Sequence, residues 1–552
     1  MTLRLAIVLC LLPAAVLAQR ATVPAITAPD LKTRLSVFAD DSMEGREAGS
    51  AGNVRGTEYI ARELKRLGLV PAGDSGTYFQ TIPLKTRSFD ETSTFTVAGA
   101  PLAAFTDYVA LDPRAVQSDS VAIVYGGEAG DTTHPLATEA TAGKLVVFAV
   151  STGFHGLRAL RAAPAPPTVA AIALVALDSL PPPVLAILQR PRSFLDDGGT
   201  TPPARAPVFL ISSATAARMF PRPLAALAPG AAGATAKLDV RVKVEPTAAP
   251  ARNVVAIVPG SDSGLRGEYV AIGAHNDHLG IDRTAVDHDS LRIWNHVVRP
   301  EGADDFGKQP SPSQKAIVDV AVARLHARSP SVRRDSIYNG ADDDGSGSVA
   351  ILEIAERIAT LTPRPKRSVL FVWHTAEEKG LLGSRYFTDH PTVPRDSIVA
   401  QLNLDMVGRG GADDETGRTK DKTPLHGGPR YLQLVGSRRL STELGDLVER
   451  VNGEDHHDLA FDYALDADGH PSNIYCRSDH YEYARYGIPI TFFTTGLHSD
   501  YHQISDEPQY IDYEHMARVT SLVEDVAVHV ANLDHRPVVD QPKPDPNGTC
   551  RQ

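Results

Sequence analysis

The sequence Val369-Leu-Phe-Val-Trp-His-Thr-Ala-Glu-Glu-Lys-Gly-Leu-Leu-Gly383 decides the fold of this chain. Five apolar residues, Val369 to Trp373, predict a strand that is buried on both faces. Two adjacent acids, Glu377 and Glu378, follow this strand in a short polar segment. Because open α/β sheets bind ligands just past the carboxyl ends of their strands, one acid can bind a metal while the other faces a substrate. Taken alone, the segment fits a solvated turn equally well.

Length and composition indicate a globular protein. The chain has 552 residues, 42% hydrophobic and 22% charged, with a formal net charge of −12. This length predicts about two to four domains. The negative charge argues against nucleic acid and anionic membranes as partners, so we expect no nucleic-acid partner and no stable membrane partner.

The first residues have the pattern of a signal peptide. Arg4 supplies the positive charge, Leu5–Leu17 is apolar, and Val16-Leu17-Ala18 fits a cleavage signal. The apolar run is short for a membrane span, although a retained anchor is the alternative. We therefore expect residues 1–18 to be removed and the protein to be exported, either to a periplasm or to the medium.

Two cysteines follow the predicted signal peptide. Cys476 and Cys550 either pair or remain free thiols, since two cysteines do not make a disulfide framework in a chain of this size. Cys550 lies in a segment rich in Pro and Asp, and this composition predicts a disordered tail over residues 537–552.

The chain divides into a catalytic part and an insertion. Residues 96–245 are rich in Ala and Pro and carry short β-like runs, which predict an inserted β-rich domain. We assign residues 30–95 and 246–535 to the catalytic domain. The four β-like runs of the insertion are Val121–Tyr125, Lys144–Val150, Val169–Leu177 and Val208–Ile211.

Strands and helices alternate in the catalytic part, where helices are predicted at Thr57–Leu67 and from Ser346 onward. This alternation predicts an α/β fold with a mostly parallel sheet flanked by helices. Asp282–Ser336 is a long polar interruption, which we expect to be a surface excursion. The predicted strands are Asn253–Val258, Tyr269–Gly273, Val369–Trp373, Ile398–Leu404 and Ile488–Phe493.

Acids and histidines follow several of these strands. His275 is a candidate metal ligand, and Asp277 is placed to accept a hydrogen bond from its other ring nitrogen. A histidine held in a loop by hydrogen bonds is the alternative. The run Asp342-Asp343-Asp344 precedes the helix at Ser346. An acidic helix cap explains one or two of these aspartates but not three.

Two further strand ends carry candidates. Asp405 follows an unbroken apolar run, where a carboxylate is costly unless it is paired or bound to a metal. Asp500-Tyr501-His502 follows the last predicted strand. Two histidines with three or more carboxylates and no thiolate favour zinc, with manganese or cobalt as alternatives. Such a set suits two metals bridged by a carboxylate.

Six short motifs follow one another along the chain. They are Ala-Arg-Asn-Val-Val-Ala at 251–256, Ala-His-Asn-Asp-His-Leu-Gly at 274–280, Asn-Gly-Ala-Asp-Asp-Asp-Gly-Ser-Gly at 339–347, Thr-Ala-Glu-Glu-Lys-Gly-Leu-Leu-Gly-Ser at 375–384, Asn-Leu-Asp-Met-Val-Gly at 403–408 and Asp-Tyr-His at 500–502. In this order they resemble the co-catalytic di-zinc aminopeptidases, relatives of bacterial leucyl aminopeptidases and glutamate carboxypeptidases. The insertion resembles a protease-associated domain, chiefly through Ala-Gly-Lys-Leu-Val-Val at 142–147.

The resemblance implies a role for each residue of the site. It makes Glu377 the general base, Asp343 the bridging ligand and Tyr501 a residue that polarises the substrate carbonyl. It also implies that two zinc ions are bound by two pairs of ligands, His275 with Asp405 and Glu378 with His502. Asn276 and Ala376 depart from the family pattern, in which Tyr and Gly are more usual at these positions.

The expected function is therefore an exported aminopeptidase that removes N-terminal residues from peptides with a free N-terminus. One alternative is a glutamate-carboxypeptidase-like exopeptidase, which would need a basic pocket. Arg409 and Arg477 are available for such a pocket but form no obvious cluster in the sequence. The other alternative is a catalytically inactive binding protein on the same fold. Proteins of that kind lose ligands, whereas every ligand position here carries a competent residue.

Overall fold

The computed structural model describes residues 22–111, 114–131, 136–151, 168–196, 206–329 and 331–552. The predicted signal peptide lies outside these residues. Nine strands of the described chain form one large sheet, and eight others form a second sheet within the insertion. The remaining strands form small antiparallel ribbons, of which the largest has three strands.

The large sheet belongs to the catalytic part of the chain. Its strands are β1 Val70–Pro71, β2 Phe79–Ile82, β3 Ala251–Val258, β4 Tyr269–His275, β5 Ser368–His374, β6 Ile398–Leu404, β7 Tyr431–Val435, β8 Ala460–Asp462 and β9 Ile490–Thr494. Their order in the sheet is β1-β3-β5-β4-β6-β9-β7-β8, and β2 also pairs with β3.

The centre of this sheet is parallel. Strands β5, β4, β6 and β9 are consecutive neighbours and run in the same direction. Antiparallel pairs flank them, β3 with β5 on one side and β7 with β9 on the other. The α/β class predicted from the sequence is confirmed. Because parallel strands end at the same edge, the segments that follow these four strands lie side by side.

The sheet is buried on both faces, as the apolar run at Val369 predicts. Every residue of β5 and β6 is buried. Alternate side chains of β5 enter two different hydrophobic clusters, with Phe371 and Trp373 in one and Leu370 and Val372 in the other. This division follows from the two-residue period of a strand.

Helices cover both faces of the sheet. The helices of the catalytic part are α1 Ala28–Phe38, α2 Ala51–Arg66, α3 His288–Val298, α4 Pro312–Arg328, α5 Gly347–Thr360, α6 Leu382–Asp389, α7 Thr442–Glu454, α8 His480–Ala484 and α9 Tyr513–Asn532. The larger hydrophobic cluster includes residues of α1, α2, α5, α7 and α9, and the smaller one includes residues of α6 and α8. No helix in the described part of the chain combines the length and apolar character that a membrane crossing requires.

The insertion has its own hydrophobic cluster. All four of its predicted runs coincide with strands, and its resemblance to a protease-associated domain stays a prediction. A three-stranded ribbon of Leu84–Phe89, Arg192–Leu195 and Val242–Pro246 accompanies it. Its sheet consists of Thr94–Val97, Ala100–Pro101, Tyr108–Ala110, Val116–Glu128, Leu145–Ala149, Ala171–Val175, Val208–Ile211 and Ala232–Val240, and its helices are Thr138–Thr141, Pro182–Leu188 and Ser213–Met219.

The polar interruption at Asp282–Ser336 is more ordered than a simple loop. Strands Gly280–Asp287 and Arg334–Tyr338 pair antiparallel at its two ends. Between them lie α3 and α4. Only Val318 is buried in α4, so this helix lacks the apolar face that would have predicted it from the sequence.

The chain after Pro537 is held against the catalytic part, whereas the sequence predicted disorder. A disulfide joins Cys476 to Cys550, with their Cα atoms 5.8 Å apart. The N–H of Val538 donates to Glu443 Oε2 at 2.8 Å. The carbonyl of Gln552 accepts from the N–H of Gly469 at 2.8 Å. These attachments outweigh the polar composition on which the prediction rested.

Candidate metal centre and active site

The carboxyl edge of the parallel strands gathers all five predicted metal ligands. His275 is the last residue of β4, and Asp405 directly follows β6. Glu378 lies in the turn after β5, and His502 lies in the loop after β9. Asp343 enters the same space from the segment before α5. Residues that lie up to 227 positions apart in the sequence therefore meet in one cluster.

The first donor group contains His275, Asp343 and Asp405. One ligand atom of each lies within 4.8 Å of the other two. Nε2 of His275 is 3.1 Å from Asp343 Oδ1 and 3.7 Å from Asp405 Oδ1. The hydroxyl of Ser478 donates to the other oxygen of Asp405 at 2.6 Å, which fixes the orientation of this carboxylate.

The second donor group uses the other oxygen of Asp343. Nε2 of His502 lies 2.9 Å from Asp343 Oδ2 and 3.0 Å from Glu378 Oε2. Asp343 thus presents one oxygen to each group, which is the arrangement of a carboxylate that bridges two metals.

The two aspartates that flank Asp343 in the sequence bind backbone N–H groups. Asp342 accepts from the N–H of Gly408 at 2.7 Å, and Asp344 accepts from the N–H of His275 at 2.9 Å. Two of the three consecutive aspartates therefore hold backbone, and the third faces the donor groups.

His278 is a donor that the sequence analysis left without a role. Its Nδ1 lies 2.7 Å from Glu378 Oε1 and 3.8 Å from Asp343 Oδ2, and its ring is fully buried. Together with Asp343 and Glu378 it forms a group of ligand atoms within 4.8 Å of one another. The available signal was a second histidine three residues after His275 in the same loop.

The cluster fits a bound metal by a test that is independent of motif. Several of its buried polar atoms lie close to one another without making a hydrogen bond of normal geometry, although buried polar groups are normally satisfied. Such atoms, brought together from nitrogen and carboxylate donors, are satisfied by a cation. The unsatisfied atoms are His275 Nε2, Asp343 Oδ2, Glu378 Oε1 and both ring nitrogens of His278.

The adjacent glutamates differ in their electrostatic surroundings. Burial, together with the charges of Glu378 and Asp405, raises the pKa of Glu377 well above its usual value. Burial also opposes ionisation of Glu378, but His502 and His278 together outweigh it and lower the pKa of Glu378 to about 2. Glu377 therefore has the higher proton affinity of the two, as a base requires, while Glu378 remains an anion.

Asp277 contacts His275 in a different way from the one predicted. Nδ1 of His275 lies 3.0 Å from the backbone carbonyl oxygen of Asp277, whereas the Asp277 carboxylate is 3.9 Å away. The carboxylate instead accepts from the N–H of Glu377 at 3.1 Å. The tight turn after β4 brings the carbonyl closer than the side chain. Asp277 thus orients His275 through its backbone and Glu377 through its carboxylate.

The turn that carries the glutamates explains why glycine is the more usual residue at position 376. Ala376 has a φ of 57°, in the left-handed region that favours glycine. Alanine therefore occupies a position where glycine, the more usual residue, would be unstrained.

A cleft opens beside the first donor group. It is lined in part by four polar residues, Glu377, Asp405, Arg477 and Tyr501. The side chain of Glu377 is 10% exposed, so it can reach a molecule in the cleft. The apolar side of the cleft is formed by Met406, Leu465, Ile474, Phe492 and Leu497.

Tyr501 is held by a chain of polar contacts from the polar excursion. Its phenolic oxygen accepts from Arg477 Nη2 at 3.1 Å. Both carboxylate oxygens of Asp304 accept hydrogen bonds from the same guanidinium, at 2.7 and 3.1 Å. Burial, reinforced by Asp343, raises the pKa of Tyr501 well above its usual value, so the phenol keeps its proton at neutral pH.

The sequence of this region matches a known family. Residues 253–527 match peptidase family M28. The catalytic part of the chain belongs to peptidase family M28. The M28 match includes both donor groups, Glu377 and Tyr501, and it leaves the insertion outside.

Curated relatives of this M28 chain match it over parts of their length. It is 40% identical over 77 residues to leupeptin-inactivating enzyme 1 of Streptomyces exfoliatus, covering 13% of this chain and 18% of the relative. It is 28% identical over 254 residues to leucine aminopeptidase 1 of Sclerotinia sclerotiorum, covering 41% and 60%. It is 31% identical over 186 residues to leucine aminopeptidase 1 of Paracoccidioides brasiliensis, covering 32% and 43%. The chain thus spans less than two thirds of each of these relatives.

Solved structures are also similar to this M28 chain. An aminopeptidase from Aneurinibacillus sp. strain AM-1 aligns with a TM-score of 0.49 and 16% identity, covering 94% of this chain and 97% of the other. A zinc aminopeptidase from Bacillus subtilis aligns with a TM-score of 0.46 and 15% identity, covering 94% and 99%.

Proposed function

We propose that this protein is an exported aminopeptidase that hydrolyses the first peptide bond of substrates with a free N-terminus, using two zinc ions. One observation carries the proposal: two groups of nitrogen and carboxylate donors share Asp343 beside a cleft in which Glu377 is accessible. The leucine aminopeptidases among the curated relatives are consistent with this activity.

The two donor groups support one assignment of the metal ligands. His275 and Asp405 would hold one zinc ion, Glu378 and His502 the other, and Asp343 would bridge them. When bound, zinc supplies an activated water and a Lewis acid for the scissile carbonyl. The three ligand carboxylates balance much of the charge of the two ions, and burial strengthens their attraction to the cations.

Glu377 is the proton carrier of the proposed reaction. It takes a proton from the attacking water and delivers it to the nitrogen of the leaving amine, so that the C–N bond breaks without an unstable anion. Its side chain borders the cleft and is 10% exposed, so it can reach both the attacking water and the leaving nitrogen. The hydrogen bond from its N–H to Asp277 fixes the turn on which it stands.

Tyr501 stabilises the transition state. Its phenol donates a hydrogen bond to the carbonyl oxygen as negative charge develops there. Because Arg477 already donates to the phenolic oxygen, the hydroxyl proton is directed away from the guanidinium. The apolar side of the cleft would receive the side chain of the N-terminal residue, and the nearby carboxylates favour its ammonium group.

The contacts of Arg409 and Arg477 disfavour the carboxypeptidase alternative. Arg409 is ion-paired with Asp500 at 2.9 Å and with Asp414 at 3.2 Å. Arg477 is held by Asp304 and Tyr501. Both guanidinium groups that the sequence offered for binding a C-terminal carboxylate are therefore already engaged. The alternative of an inactive binding protein is disfavoured because the complete donor set and Glu377 are present.

Two features support export. The first 18 residues have the pattern of a signal peptide. The disulfide between Cys476 and Cys550 belongs to the kind of bond that persists in oxidising compartments outside the cytoplasm.

The proposal is tested with three matched peptides: one free at both ends, one N-acetylated and one amidated at its C-terminus. The purified protein with zinc should release the N-terminal residue from the free and amidated peptides and leave the acetylated peptide intact. Cleavage of the acetylated peptide from its C-terminus, with the amidated one resistant, would instead establish the carboxypeptidase alternative.

A further inference from the structure

A second cluster of histidines and carboxylates lies on helices α7 and α9, apart from the candidate active site. It consists of Asp455, His457, Asp525 and His529, and it is here called the helix-end cluster. Ligand atoms of Asp455, His457 and Asp525 all lie within 4.8 Å of one another. Nε2 of His529 lies 3.1 Å from Asp455 Oδ2, next to these three residues.

Both elements that carry the cluster are well ordered by local contacts. Asp525 and His529 stand one turn apart on α9, so their side chains share a face. Asp455 caps the end of α7 and His457 follows two residues later. Asn452 fixes this short loop because its side chain donates to the carbonyl of Leu459 and accepts from the N–H of the same residue, both at 2.9 Å.

The contacts cross between the two helices. Nε2 of His457 lies 2.9 Å from Asp525 Oδ2, and Nε2 of His529 reaches Asp455 in the opposite direction. The side chain of His457 is only 9% exposed, while those of Asp525 and Asp455 are each 36% exposed. A cation at this place could therefore enter from solvent and bind the three ligands that the fold already holds together, with His529 beside Asp455 as a fourth candidate ligand.

The chemistry of the cluster selects the kind of ion. Two imidazoles and two carboxylates make a mixed nitrogen and oxygen set of four, which suits zinc in tetrahedral geometry. A hard cation such as calcium prefers six or more oxygen ligands and would gain little from the histidines. Two separate histidine–aspartate ion pairs would account for the distances without a metal, and this is the competing explanation.

The cluster is also remote from the proposed catalytic chemistry. The start of α9 is tied to the site, since the N–H of Asp512 donates to the carbonyl of Gly408 at 2.9 Å. Asp525 lies twelve residues after the first residue of α9, and a helix rises about 1.5 Å per residue, which gives about 18 Å. A metal in the cluster would therefore not contact a substrate in the cleft.

We propose that the helix-end cluster is a structural zinc site that fastens the end of α7 to α9. The ion would bind the folded chain far better than the unfolded one, because the residues at the end of α7 and those on α9 come together only when the two helices pack. Zinc should therefore raise the melting temperature through this site, independently of peptidase activity.

The test compares the intact protein with the double variant His457→Ala/His529→Ala. After dialysis against a zinc-buffered solution, elemental analysis should find one zinc ion fewer per chain in the double variant. Added zinc should raise the melting temperature of the intact protein by a few degrees more than that of the variant. The turnover of the two proteins should be the same.

A matched control is His535→Ala, which removes an exposed histidine paired with a single carboxylate, Glu443, at 2.7 Å. It should leave the zinc content unchanged. If the double variant is unstable, Asp455→Asn/Asp525→Asn removes the anionic ligands with little change of shape. Equal zinc content and an equal zinc-dependent melting shift in the intact protein and a folded variant would overturn the proposal in favour of two ion pairs.

Discussion

Glu377 and Glu378 are neighbours in the chain, yet their carboxylates face different histidines. Oε2 of Glu377 lies 3.9 Å from Nε2 of His275, whereas Oε2 of Glu378 lies 3.0 Å from Nε2 of His502. Only Glu377 borders the cleft. The turn after β5 therefore separates two chemical roles that the sequence places side by side.

Changing each glutamate to glutamine should affect turnover and zinc binding differently. Glu377→Gln keeps its shape but cannot take up a proton, so turnover should fall by about a hundredfold or more while zinc binding is nearly unchanged. Glu378→Gln removes an anionic ligand and should lose the zinc ion paired with His502. Zinc content at saturating zinc and turnover are measured on the same samples. Loss of zinc in Glu377→Gln and its retention in Glu378→Gln would show that the roles are reversed.

The role of Tyr501 can be tested together with the contact between Asp304 and Arg477, through which the excursion holds the phenol in place. Tyr501→Phe removes the donor to the carbonyl oxygen and should lower kcat by about a hundredfold, with little change in zinc content. Asp304→Asn weakens the ion pair that holds Arg477. It should lower kcat by a smaller factor than Tyr501→Phe does.

The control for this pair is Asp319→Asn, which breaks an exposed ion pair with Lys315 on α4 and should leave kcat unchanged. A normal kcat in Tyr501→Phe would remove the phenol from the mechanism. A loss in Asp319→Asn as large as that in Asp304→Asn would attribute the effect to the excursion as a whole.

Much of the site could be predicted because of one topological rule. Apolar runs such as Val369–Trp373 identify buried strands, and parallel strands deliver the residues that follow them to one edge. This is why His275, Glu378 and Asp405 could be placed together from sequence. The contact between Asp304 and Arg477 could not, because it joins residues 173 positions apart in segments without a strong pattern.

Other features depended on geometry that a motif does not contain. Asp277 was expected to reach His275 with its carboxylate, but the turn presents its carbonyl instead. The sequence assigns no role to His278, because a histidine in a loop has many possible partners. The pairing of Cys476 with Cys550 was open, since sequence spacing does not bring two distant cysteines together.

The insertion should be dispensable for metal binding, since both donor groups lie outside it. Phe89 and Val242 face each other in the antiparallel ribbon at its base. Replacing residues 90–241 by an Asn-Gly turn should therefore close a hairpin without moving the large sheet. The folded deletion variant should bind as much zinc as the intact chain. Loss of zinc from a deletion variant that retains the secondary structure of the catalytic part would show that the boundary is wrong.

The disulfide should contribute to stability through the length of the loop that it closes. Cys476 and Cys550 are 74 residues apart, and a crosslink of this kind contributes about 2 to 4 kcal/mol to the free energy of unfolding. Denaturant unfolding of Cys476→Ser/Cys550→Ser is compared with that of the intact protein, with and without a reducing agent. Reductant should destabilise the intact protein only. An unchanged midpoint in the double variant would mean that the two thiols do not pair.

The activity of the metal-free protein tests most directly whether hydrolysis depends on bound zinc. The central claim is that hydrolysis depends on zinc held by the two donor groups that share Asp343. Release of leucine from a peptide with a free N-terminus is measured after exhaustive chelation, with metal loss verified by elemental analysis, and again after zinc is added back. Chelation should abolish the activity and added zinc should restore it. Full activity in the verified metal-free protein would show that hydrolysis does not depend on metal held by these donor groups.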